Sequence, residues 1–136
     1  MASVESWIYS RLTGFAGLSA LIGTRLYPVV LPENPTYPAI SYRRVDAPNV
    51  AQTHEATPAG LARPRFQFDC WGTTATSAKA VGEQVRLALE GYQNKAANPR
   101  IDGVLLADRR DGPRDTGSNL YRDSLDFFIW HSEPRS

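Results

Sequence analysis

The chain has 136 residues, with 15 Lys and Arg against 14 Asp and Glu for a net charge of +1, and a single cysteine, Cys70. That length suits one domain, 1–136, which buries roughly 68% of the surface its unfolded chain would expose, so there is room for one core and little else. A charge this close to balance supplies no field that would make nucleic acid or an anionic membrane the main partner. One cysteine excludes an internal disulfide and fits a reducing compartment.

The first element is a helix. Ser3 can cap it and Glu5 sits favourably in its first turn, and at about 100° per residue Val4, Trp7, Ile8, Leu12 and Phe15 gather on one side. Arg11 falls inside that stripe, where an unpaired guanidinium cannot be fully buried. Either its stem covers apolar surface while its head reaches water, or it pairs with a neighbouring subunit. Residues 12–23, LTGFAGLSALIG, are too short and too rich in Gly and Ser to cross a bilayer, and no A-x-A site follows, so neither a membrane span nor a secretion signal is expected.

A second short helical piece, 18–22, ends at Gly23. TRLYPVVLPENPTYPAI then carries four prolines and is expected to be an irregular loop that wraps the fold. Residues 39–45 read as a strand with Ile40 and Tyr42 on one parity. Residues 46–63, DAPNVAQTHEATPAGLAR, are poor in large apolar side chains, which predicts a long mobile arm between the first two strands, with Val50, His54 and Leu61 as the groups it offers to a partner.

RFQFDCW, 65–71, follows as a strand with Phe66, Phe68 and Cys70 on one face and Arg65, Gln67, Asp69 and Trp71 on the other. Gly72 and a threonine-rich cap lead into a helix reaching about Tyr92, whose Ala78, Val81, Val85, Ala88, Leu89 and Tyr92 share an arc opposite Lys79, Glu83, Arg86 and Glu90. Leu87 projects from the charged side. Residues 101–107 read as a strand, and DRRDGPRDTGSN as a turn that balances its own charge and exposes Arg109 and Arg110. The last strand, from Leu120 or Tyr121 to His131, has Leu125, Phe127 and Ile129 on one face and Asp126, Phe128 and Trp130 on the other, so it is central or covered on both sides. The order of elements gives an α+β fold: a mostly antiparallel sheet of about four strands with helices on one face.

Little chemistry converges on this frame. Asp69 and Asp126 could form an acid and base pair, but each has an arginine nearby in sequence, Arg65 and Arg122, and cross-strand pairing accounts for them. His54 and His131 lack a metal-binding spacing, and Cys70 faces the core as inert packing. GTTATSAK follows a strand and opens a helix, yet Lys79 lacks the preceding glycine and following Ser or Thr of a phosphate loop. No cofactor, metal or catalytic residue is expected.

GTRLYP, the proline-rich stretch, PAISYRRV, RFQFDCWG before an amphipathic helix, DRRD and the closing YRDSLDFFIW occur in this order over residues 5–131. The pattern resembles the tail-completion, or tail-to-head joining, proteins of long-tailed phages. The resemblance implies a structural virion protein that forms a ring, typically a hexamer, at the head-proximal end of the tail tube, ends tube growth and meets the head connector. Its partners would be other copies of itself, the tube protein and the connector, with DNA only as cargo through the lumen, no membrane, and assembly in the host cytoplasm. Candidate contact residues are Arg11, Val50, His54, Leu61, Leu87, Arg109, Arg110, Phe128 and Trp130. The alternatives are a neck or head-completion protein, and a small hydrolase or ligand-binding domain using Asp69 and Asp126.

Overall fold

A computed structural model describes residues 4–46, 61–96, 100–115 and 120–132. The first helix, α1 (Val4–Thr13), buries Val4, Trp7, Ile8 and Leu12, the stripe expected from their spacing, and α2 (Ala16–Ile22) buries Leu18 and Ile22 before Gly23 turns the chain at φ 60°. The longest helix is α3 (Ala75–Leu89). Its start is fixed by a reciprocal cap, in which the Ser77 N–H donates to Thr74 Oγ1 at 3.0 Å and the Thr74 N–H donates to Ser77 Oγ at 3.3 Å. It stops at Leu89 rather than Tyr92, because the chain turns at Gly91 with φ 76°, although Tyr92 still packs against the core.

The strands are β1 (Leu26–Pro28), β2 (Ala39–Asp46), β3 (Leu61–Ala62), β4 (Arg65–Gly72), β5 (Ile101–Asp115) and β6 (Leu120–Ser132). They form one sheet in the order β1, β2, β4, β6, with β5 on the far side of β6. β3 continues β4 in a single register against β6, as Leu61 faces Ser132, Ala62 faces His131 and Arg65 faces Phe128. Between the two pieces the Pro64 carbonyl still accepts the Ile129 N–H at 3.1 Å. The six strands thus fill five positions, one more than the sequence pattern suggested. Every pairing is antiparallel except that of β1 with β2.

The sheet departs from expectation in three places. The proline-rich stretch contains a strand, β1, since Leu26 faces Ile40 and is buried beside it. DRRDGPRD belongs to β5, paired with β6 as far as Asp115 opposite Leu120, and is not a turn. Its charges had suggested solvent, but each described one meets a partner across the ladder, on α3 or, for Asp108 with Arg110, within β5 itself. The span 46–63 begins as the end of β2 and finishes as β3 and the link to β4, while Val50 and His54 lie outside the described residues.

All three helices contribute to one core on one face of the sheet, packed on Ile40, Tyr42, Phe66, Phe68, Cys70, Leu125, Phe127 and Ile129. Phe68 lies at its centre, stacked on Tyr42 at 5.9 Å and edge-on to Phe127 at 5.8 Å. Each such side chain contributes about 1.5 to 3 kcal/mol by leaving water. β6 lies between β4 and β5, which is why it was legible as a strand with two largely apolar faces.

Candidate assembly surfaces

The sheet face away from the helices carries both aspartates that the sequence offered as a catalytic pair. Asp69 accepts from Gln67 Nε2 at 2.9 Å and from Ser124 Oγ at 2.6 Å. Asp126 accepts from Arg65 Nη2 at 2.7 Å and Nε at 3.0 Å, with Arg110 Nη1 3.4 Å from its other oxygen. These bonds make them parts of a cross-strand ladder, Asp126 with Arg65 as expected. Arg122 is not Asp69's partner and lies 5.5 Å over the Trp71 ring instead. Trp71 in turn donates to Ser41 Oγ at 3.1 Å.

Toward the other end of the same face Phe128 and Trp130 are half-buried, 6.1 Å apart, with the Arg63 guanidinium 4.5 Å over Phe128 and 6.0 Å over Trp130. Arg65 lies 5.5 Å over Phe128. A surface of aromatic rings and arginine, flanked by Leu105 opposite Phe128 in the ladder, has the composition that protein interfaces favour. Leu61 joins this end through backbone pairing with Ser132.

On the helix side a charged knot ties α3 to the hairpin. The β5 ladder skips a residue between Leu106 and Asp108, and this bulge resets the alternation so that Arg109 points toward α3 and Arg110 toward the open face. Arg109 donates to Asp123 at 2.8 Å and to Glu83 at 3.0 Å. Asp123 is completely buried. It fits because residue 82 is glycine: a Cβ there would stand 2.0 Å from Asp123 Oδ2. Hydrogen bonds from Arg86 and then Arg109 hold the Glu83 carboxyl down at about 2. Sequence reasoning missed Asp123, although its parity with Leu125, Phe127 and Ile129 places it on the core side.

Arg109 is therefore occupied within the subunit, and so is Arg11. Its Nε donates to the Ala88 carbonyl at 2.9 Å, at the C-terminal end of α3, and its guanidinium lies 4.4 Å over the Tyr92 ring and 5.4 Å over Phe15. The misfit in the apolar stripe is an internal helix cap. Arg110, paired with Asp108 at 2.7 Å, stays at the surface. Leu87 is half-exposed, at 50%, on the side of α3 where Glu83, Arg86 and Glu90 form an ion-paired row.

Burial first, then the Asp123 and Asp69 carboxylates, push the Cys70 thiol well above its ordinary range, so it is not a nucleophile at neutral pH. Among the described residues no three His, Cys, Asp or Glu side chains are grouped to hold a metal ion, and no helix is long and apolar enough to cross a membrane. A cavity of about 220 Å³ opens beside the start of α3, lined by Lys79, Asp111, Tyr121 and Arg122 among others, and contains neither Asp69 nor Asp126.

Comparison with known proteins places these surfaces in context. The model of one family, tail completion protein gp17, matches residues 7–132. A chain in the solved structure described as the virion of a native gene transfer agent (GTA) particle superimposes with a TM-score of 0.74 at 22% identity, covering 93% of this chain and 92% of that one. At that identity the likeness is one of fold. Among curated proteins none matches.

Proposed function

This chain belongs to the tail completion protein gp17 family, a family of structural phage tail proteins rather than of enzymes, and we propose from that premise that it forms a ring closing the head-proximal end of a tail tube. The ring ends tube growth and presents a surface to the head connector, with DNA passing through its lumen as cargo. Assembly takes place in the host cytoplasm and the protein remains in the particle. The observation that carries this reading is the extent of the family match, 7–132, which begins within α1 and takes in α2, α3 and both edges of the sheet.

The surfaces support it. Of the expected contact residues among those described, Leu87, Arg110, Phe128 and Trp130 are at least partly accessible, whereas Arg11 and Arg109, also partly accessible, are bound to α3 and to Asp123. An aromatic patch with arginines is suited to a protein partner. A cyclic arrangement fits a joint in a tube, because head-to-tail contacts that close make a ring and those that do not make a filament.

The test is an add-back assay with purified protein, isolated tail tubes and DNA-filled heads. Binding at tube ends, followed by joining of the capped tubes to heads, is expected. Binding to heads and not to tubes would move the protein to the neck or head-completion class.

A further inference from the structure

The three most exposed large hydrophobic residues among those described are Val30 at 69%, Val29 at 66% and Leu105 at 54%. They lie on opposite edges of the sheet. β1 ends at Pro28, and the chain then makes a tight turn in which the Val29 N–H donates to the Tyr42 carbonyl at 2.7 Å and the Val30 N–H to the Pro28 carbonyl at 2.8 Å. Val29 has φ 69°. A β-branched residue in that region is strained, and strain of this kind persists where the surroundings enforce it and marks positions with a task. Here the strained turn holds two valines out into solvent.

The other edge is β5. Its first residues are covered by the chain that leaves α3: Gly91 N–H donates to the Val104 carbonyl at 2.9 Å, Gln93 Nε2 to the Asp102 carbonyl at 3.0 Å, and Asn94 pairs with Ile101 in both directions. From Leu105 onward no described strand pairs with this edge. An open edge that begins at an exposed leucine invites another chain. The charges also match on the open face: Arg43, beside β1, is exposed and has no ion-pair partner among the described residues, while Asp108, exposed on the same face of β5, is met by Arg110 of its own strand, a surface pair that an incoming arginine can share.

We infer that two copies of this chain join head to tail, the Val29 and Val30 turn of one seated against Leu105 on the β5 edge of the next, with Arg43 facing Asp108. This rests on the ring reading above and supplies its two contact surfaces. Each copy carries both halves, so the contact is heterologous and propagates around a ring.

Native mass measurement of Val30→Asp and Leu105→Asp tests it. Each variant alone should lose the ring, with at least a tenfold fall in the ring signal, and retain the circular dichroism of the parent, since both side chains are on the surface. If either variant fails to fold, single cysteines give the answer. Under oxidation Val30→Cys alone and Leu105→Cys alone should give no covalent dimer, whereas a mixture should give a one-to-one dimer. Placing both cysteines in one chain should give a ladder of multimers. Closure within a chain is not possible, because four strand spacings separate the edges by about 19 Å and a disulfide needs Cα atoms within about 7 Å. Rings unchanged by either aspartate, or a parent that forms rings without mixed cross-links, would overturn the inference and leave the ring reading standing. A monomeric parent would remove both.

Discussion

On the helix side of the sheet, Phe66, Phe68 and Phe127 are buried against one another and the helices, and shape alone holds them. On the open side the residues next along the same strands, Gln67, Ser124 and Asp126, are 8%, 1% and 3% exposed, nearly as buried, yet each is held by a side-chain hydrogen bond or ion pair. The two faces show how one pleated ladder meets two kinds of demand. An apolar face loses stability in proportion to the contacts and volume removed, whereas a buried polar face loses it only when a group is left without its partner. The Asp123 knot is the exception on the helix side, a polar cluster inside the apolar layer.

The largest expected effect is on the apolar face. Phe68→Ala removes the ring between Tyr42 and Phe127 and should cost about 3 to 5 kcal/mol, with Leu89→Ala, also fully buried, costing about 2 to 5 kcal/mol. Chemical denaturation measures both. A loss below about 1 kcal/mol at Phe68 would mean that the core can collapse around the gap.

The knot should come next. Asp123→Ala leaves Arg109 facing an empty buried site, and breaking such a pair typically costs about 3 to 5 kcal/mol. The lower end is expected, because Arg109 is 29% exposed and keeps Glu83. Gly82→Ala should destabilise through the same carboxylate, which its Cβ would displace. If Gly82→Ala were neutral while Asp123→Ala was severe, the close approach of α3 to β6 would not be what seats the aspartate.

Much of this division was readable beforehand. The parity of Phe66, Phe68 and Cys70 against Leu125, Phe127 and Ile129 placed the core, and the spacing in α1 and α3 gave both helices, because apolar periodicity reports burial directly. The rest depended on long-range pairing. β1 is three residues long inside a proline-rich stretch and exists only because Leu26 finds Ile40. The charges of DRRDGPRD look like a turn until the β5 bulge sends Arg109 to one face and Arg110 to the other. Arg11 read as a misfit because its partner, the Ala88 carbonyl, is 77 residues away. Of the surface residues, Leu87 and Phe128 were legible, whereas Val29 and Val30 were hidden by a turn whose φ no composition announces.

On the open face the effects should be smaller. Replacing both Asp69 and Asp126 with Asn keeps shape and one acceptor oxygen at each position, while the other oxygen becomes a donor and the charge is lost. It should cost about 1 kcal/mol, chiefly through the weakened bond to Arg65, which water reaches. Tails made with this protein should have normal length and join heads. Complete loss of joining by a folded, assembled variant would reopen a catalytic role, since Asn neither gives nor takes a proton and a positioned acid or base contributes about 100-fold to 10,000-fold in rate.

The smallest stability effects belong to the charged side of α3. Leu87→Glu should leave the melting curve within about 0.5 kcal/mol of the parent while weakening assembly, and loss of folding would show that the leucine is needed by the core. Glu83 titrates at about 2 instead of its ordinary 4.5, so its ion pairs contribute fully above that ordinary value. Their contribution fades as pH falls from about 4.5 to 2. The parent should therefore lose its advantage over Glu83→Gln across that window. A gap between the two proteins that widened on acidification would contradict the assignment.

The native mass of the unmodified protein over a range of concentrations bears most directly on its role. A single closed species is expected, at about six times the subunit mass if the tube joint has sixfold symmetry, the subunit being 15.0 kDa. It should persist on dilution and bind tube ends without further growth. A clean monomer at high concentration, or an open-ended series of oligomers with no closed member, would contradict a ring that ends a tail.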